Sequence, residues 1–248
     1  GGGTQGLGDG GSATSAELNS PERVAVDGAR NLVIADGDNN RVRVVASETG
    51  TFYGRAMTTG DIYTVAGDGS RSFSGDGGPA TSTGVAFPAG VAVDGAGNLV
   101  IADTYNWRIR VVASKTGTFY RQAMTAGHIY TVAGNGTAGF AGDGGPATHA
   151  ELLDPWAVAV DAAGNLAVAD TDNERIRVVA SKTGTFYGRA MTAGNIYSVA
   201  GQRSLGFSGD GGPGTRARLS SPIGVAADGA GNILIADLSN NRIRKIQG

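Results

Sequence analysis

Four aspartates stand at a constant interval of 67 residues: Asp27, Asp94, Asp161 and Asp228. Carboxylates converging from four directions could hold a divalent cation such as calcium, and a held cation can polarise a substrate for hydrolysis or elimination. Each of these aspartates also precedes a short turn (GARN, GAGN, AAGN, GAGN), whose backbone N–H groups an Asp side chain can accept. The same interval repeats an Asp-x-x-Asn-x-Arg pattern: Asp36/Asn39/Arg41, Asp103/Asn106/Arg108, Asp170/Asn173/Arg175 and Asp237/Asn240/Arg242. GDGDNN and DTDNE space their oxygens partly like a calcium loop, but DTYNW and DLSNN lack the second Asp and no bidentate Glu follows. The simpler chemistry is an Asp that caps its turn and an Arg that bonds to the next structural layer. The two histidines, His128 at the start of a strand-like run and His149 in a long connection, fall toward opposite faces and cannot form an acid–base pair. Without cysteine there is neither a thiolate nucleophile nor a Cys-ligated zinc.

A second set of residues is marked by breaking the repeat. What recurs in every copy serves the fold, so a binding site is expected where one copy departs. The position after the strand-opening proline reads Glu22, Ala89, Trp156 and Ile223; the position before the turn Arg reads Asn40, Trp107, Glu174 and Asn241; two after the turn Asp stand Asp38, Tyr105, Asp172 and Ser239. Trp107, Trp156, Tyr105 and Glu22 from these columns, with Asp154 and His149 expected near them, are the candidate binding residues. Aromatic rings with carboxylates between them suit a peptide or a sugar, while the competing role is to fill gaps between sheets.

The elements that position these residues are strands. In the second copy, GVAVD, NLVIAD and RIRVVA are short, β-branched runs separated by GAGN and by the Asp-x-x-Asn turn, and HIYTVAG supplies a fourth. Consecutive hairpins make a four-stranded antiparallel meander. In such a meander the connection between sheets and the second-to-third turn emerge at the same end, so the three variable columns share a face. The GTFYGRAM stretches carry Phe52, Tyr53 and Met57 and their equivalents at the other end, where they are expected to extend each sheet's core. GDGG at Gly8, Gly75, Gly142 and Gly209 reads as a tight turn opening each repeat, with a backbone anion nest as its functional alternative.

Repeats of a four-stranded sheet are the blades of a β-propeller, and the terminal copies are as apolar as the middle ones, unlike the capped ends of a solenoid. The chain reads as one all-β domain over residues 1–248, with repeats near 8–74, 75–141, 142–208 and 209–248. The fourth-strand sequence occurs three times, so the last blade is expected to lack its fourth strand. That leaves Asn241–Ile246 as an edge or as a surface for pairing with another molecule, a homodimer among the outcomes. A formal charge of −2 with no basic run gives nucleic acid and anionic membranes no electrostatic hold, and no apolar run is long enough to span a bilayer. The 43 glycines recur at fixed places between strand runs and mark turns. No signal peptide is visible at the start.

Asp-x-x-Asn-x-Arg-Ile/Val after an apolar strand, with a Val-Ala-x-Asp strand start, resembles the NHL repeat over nearly the whole chain. The resemblance extends to the tandem NHL arrays of large exported bacterial proteins and to the NHL propeller of teneurins. It implies a β-propeller, commonly six-bladed, that serves as a binding or sensor module, with lyases among related propellers. Four copies and the GTFYGRAM insertion depart from the family pattern. The reading is a non-catalytic scaffold, extracellular or at the cell surface, that binds a protein, peptide or carbohydrate without a cofactor. The alternative is a metal-dependent lyase or hydrolase with a cation on Asp27, Asp94, Asp161 and Asp228.

Overall fold

A computed structural model of the chain describes residues 6–248. The first five residues lie outside the described residues. The fold is all-β, with antiparallel sheets in a four-blade β-propeller arrangement. Contacts divide the chain into two compact units: residues up to Asn106 together with Arg110–Thr131, and Trp107–Ile109 together with Val132–Gly248.

In the first unit the chain runs through β1 (Gly11–Ser12), β2 (Pro21–Val26), β3 (Leu32–Asp36), β4 (Arg41–Val45), a small hairpin of β5 (Gly50–Phe52) and β6 (Arg55–Met57), and β7 (Asp61–Ala66). The first sheet has the order β1-β7-β4-β3-β2. A second follows from β8 (Pro88–Val93), β9 (Leu99–Asp103), β10 (Arg108–Val112), the hairpin β11 (Gly117–Phe119) and β12 (Gln122–Met124), and β13 (Ile129–Ala133), in the order β13-β10-β9-β8. Pairing Val33 with Val44 and Ala35 with Val42 sends these small and β-branched side chains to one core, which also holds Val65, Val91, Leu99, Ile101 and Ile129.

The second unit repeats the plan with β14 (Pro155–Val160), β15 (Leu166–Asp170), β16 (Arg175–Val179), the hairpin β17 (Gly184–Phe186) and β18 (Arg189–Met191), and β19 (Ile196–Ala200), ordered β14-β15-β16-β19. Its other sheet is β20 (Pro222–Ala227), β21 (Ile233–Asp237) and β22 (Arg242–Ile246), three strands as the sequence led us to expect. Ile176, Val178, Val199, Leu219, Ile233 and Ile235 form its core. Among the described residues no helix is long and apolar enough to cross a membrane.

Two local features go beyond the sequence reading. GTFYGRAM forms a hairpin of its own, with Gly50 opposite Met57, and returns Tyr53 and Met57 to the core while Phe52 packs against it. The GDGG loops also do more than turn the chain. Gly10 and Gly77 donate to the carbonyls of Ile62 and Ile129 at 2.8 Å, and Gly144 donates to Ile196 at 2.7 Å, so these three loops each lie along the far side of a fourth strand. A fixed glycine ends that strand: at Gly201 φ is +89°, and a Cβ there would press into the carbonyl of Glu174.

Candidate functional site

The evenly spaced aspartates are held by their own turns. Asp94 Oδ1 accepts the backbone N–H of Ala96 at 2.9 Å and of Asn98 at 2.8 Å, and its Oδ2 accepts the Asn98 side chain and the Tyr120 hydroxyl, both at 2.8 Å. Asp27 makes the same set with Ala29, Asn31 and Tyr53, and Asp161 with Ala163, Asn165 and Tyr187. Asp228 keeps the turn bonds to Ala230 and Asn232, and the Asn232 side chain leads in holding its carboxyl below the usual range. The tyrosines come from the GTFYGRAM hairpin. Burial first, and the adjoining Asp beside it, push the ionisation of Tyr120 and Tyr187 far upward, so both hydroxyls stay neutral donors. Among the described residues no group of three or more His, Asp or Glu side chains is placed to hold a metal ion.

A second constellation sits inside each blade and was not recognised in the sequence. Arg110, fully buried, reaches Asp103 at 3.3 Å and Asp76 at 3.0 Å, and donates to the carbonyls of Gly84 and Ser74. Arg43 joins Asp36 and Asp9, Arg177 joins Asp170 and Asp143, and Arg244 joins Asp237 and Asp210. The acid of each GDGG loop is therefore an ion-pair partner. Asp9 and Asp76 also accept the backbone N–H of Thr64 and Thr131, and Asp143 accepts the Ser198 hydroxyl. Burial pushes the carboxyls of Asp103 and Asp170 up, against the pull of the facing arginines, Asp170 to about 6. The signal was present in the Arg-x-Arg of every third strand. The first arginine was expected to bond to the next structural layer, but it reaches carbonyls just past the fourth strand of its own sheet: Arg41 bonds to Asp68 O, Arg108 to Asn135 O and Arg175 to Gly201 O.

The variable columns lie at one end of the sheets within each unit. Gly37 N donates to Ser20 O in the first, and Asp172 N donates to Leu153 O in the second. In the first unit Tyr105 is half-buried against Phe87, ring centroids 5.2 Å apart, and the Arg71 guanidinium lies 4.4 Å from the centre of the tyrosine ring. Exposed Glu22 approaches the same place, since its side chain and the Phe87 ring both border Gly37. In the second unit Trp107 Nε1 donates to Asp154 Oδ1 at 3.1 Å. Trp156 is half-buried, and His149 is exposed and accepts the Asn135 amide on its carbonyl.

Trp107 and Asp154 turn out to be one version of a recurring bond. Asn40 Oδ1 accepts Phe87 N at 3.0 Å, and Glu174 Oε2 accepts Ser221 N at 2.6 Å. Asn40, Trp107 and Glu174 are all left-handed, as are Phe87, Asp154 and Ser221. The pairs differ in chemistry, yet each ties a second-to-third turn to the following connection. Divergence between copies is thus not by itself a mark of function. Burial raises the carboxyl of Asp154 against the indole N–H, with Asp172 adding to the rise, and burial likewise raises Glu174.

Comparison with known proteins bears out the resemblance. Residues 143–247 match the model of the Teneurin NHL domain, and residues 86–112 match that of the NHL repeat. Teneurin-1 of Homo sapiens is 26% identical over 258 residues, which cover 96% of this chain and 8% of Teneurin-1. The chain thus spans a small part of that relative. An auxiliary nutrient binding protein from Bacteroides thetaiotaomicron is similar in structure, with TM-score 0.50 and 16% identity over 93% of this chain and 60% of that one. So is a structure described as a candidate gluconolactonase, with TM-score 0.52 and 12% identity over 92% and 59%. These structural likenesses show the fold.

Proposed function

We propose that this chain, which carries NHL-type propeller repeats, is a non-catalytic interaction module of a larger exported bacterial protein. It recognises a protein, peptide or carbohydrate at the end that bears the connections and second-to-third turns. The reading rests on Tyr105, held between Phe87 and Arg71 with Glu22 beside it and part of its ring open to solvent. A flat aromatic surface with one cation and one carboxylate offers stacking and polar anchoring together. In contrast, the repeated aspartates that catalysis would need are engaged by their own turns. A lyase or hydrolase built on Asp27, Asp94, Asp161 and Asp228 would first have to release those bonds.

Peptide and glycan arrays probed with the chain test this reading. Hits should weaken at least about tenfold with Tyr105→Ala, as expected when one aromatic anchor is truncated. Hits that bind Tyr105→Ala as well as the unchanged chain would reject the site.

A further inference from the structure

In the third sheet, β19 lies between β16 and the backbone of Gly144–Gly145: Ile196 N donates to Gly145 O, and Gly144 N donates to Ile196 O. Its register places Ala200 opposite Ile176, Ser198 opposite Arg177, Tyr197 opposite Val178 and Ile196 opposite Val179. The fourth sheet builds the walls of the same slot. β22 stands where β16 does, the Gly209–Gly212 loop stands where the Gly142–Gly145 loop does, and between them is a cavity of about 730 Å³ lined by Gly211, Gly212, Ile243, Arg244, Lys245 and Ile246.

The polar groups that receive a strand are also in place. Arg244 orients Asp210 through Oδ1 at 2.6 Å, as Arg110 orients Asp76 at 3.0 Å. Asp76 then accepts Thr131 N on Oδ2, whereas Oδ2 of Asp210 has no hydrogen-bond partner among the described residues. Ile243 is 74% exposed, while its counterpart Ile176 is fully buried under Ala200.

We propose that this slot binds an added β-strand of the sequence Ile-Tyr-Ser/Thr-Val-Ala-Gly from outside residues 1–248. The register would be Ala on Ile243, Ser/Thr on Arg244, Tyr on Lys245 and Ile on Ile246. The site is distinct from the Tyr105 surface and does not depend on it. Main-chain bonds to both walls supply affinity, and the alternate side chains supply specificity. The final glycine is part of the code, because it must pass the carbonyl of Asn241 as Gly201 passes that of Glu174. Charge argues against a second copy as occupant. β22 carries Arg242, Arg244 and Lys245, so edge-to-edge pairing of two copies would set cations against cations. A neutral strand meets no such repulsion.

A fluorescein-labelled peptide GNIYSVAGQ, the sequence of residues 194–202, tests the proposal by anisotropy on the whole chain. Saturable binding is expected, about tenfold weaker or more when the peptide glycine at position 201 is changed to Ala. The Asp210→Asn protein should bind about three- to tenfold more weakly, since one charge-assisted bond is lost. Absence of saturable binding up to about 1 mM, or binding indifferent to both changes, would overturn it. So would self-association in light scattering that excess peptide does not reverse.

Discussion

The third and fourth sheets follow the same three-strand plan, with the same apolar pattern and the same Asp and Arg positions, and differ in what lies beyond. In the third, β16 is covered by β19, and Ile176 and Arg177 are fully buried. In the fourth, β22 is an edge, and the equivalent Ile243 is 74% exposed. Asp143 and Asp210 differ in the same way: their side chains are 23% and 64% exposed, although both pair with an arginine of the third strand. Three strands with the Asp–Arg cluster are therefore enough to set the meander, and the fourth strand converts an ion pair open to water into a sheltered one. The sequence agrees, since Lys245 occupies the place of the buried Val178, a charge that suits a strand edge.

The largest expected contrast lies in the apolar pair. Ile176→Ala should cost about 2–5 kcal/mol in denaturant unfolding because it opens a cavity under β19, whereas Ile243→Ala should stay within about 0.5 kcal/mol. Similar losses at the two sites would mean that β22 is covered. The acids should differ less. Asp143→Ala, which takes one partner from the buried Arg177, is expected to cost about 1.5–3 kcal/mol, and Asp210→Ala less than about 1 kcal/mol.

The smallest effect concerns pH and the bonds that tie turns to connections. Asp154 and Glu174 both titrate above the ordinary carboxylate range, with burial as the leading cause. A carboxyl raised in the folded state contributes stability that is present below its unfolded value and lost as pH rises through its folded value. Stability should therefore fall slightly across that window in the wild type. Thermal melts of the Asp154→Asn, Glu174→Gln double variant should show a flatter pH dependence, while Asn40→Ala should leave the slope unchanged because that tie has no titrating group.

Much of the fold was legible because each strand announces itself twice, through β-branched alternation and through recurrence at 67 residues. Four uncapped, equally apolar copies pointed to blades, and counting IYTVAG-type strands located the incomplete sheet. What stayed hidden was long-range. Nothing local shows that Asp76 meets Arg110 and Thr131, because the contact depends on a loop folding back along a strand far downstream. GTFYGRAM looked like a connection because three-residue strands are too short to reveal a period. Trp107 stood out as a lone aromatic, and only the left-handed backbone it shares with Asn40 and Glu174 reveals their common task. Tyr105 was legible as an anomaly, but its partners Phe87 and Arg71 were not, since both lie outside the columns that were compared.

The Asp–Arg cluster also bears on how the chain is synthesised. Asp76 precedes by 55 residues the Thr131 amide that it accepts. A ribosome would release the GDGG loop long before that amide, leaving the acid hydrated until its repeat had emerged almost entirely. In the four-stranded sheets the acid would then gain its last partner only when the fourth strand had emerged.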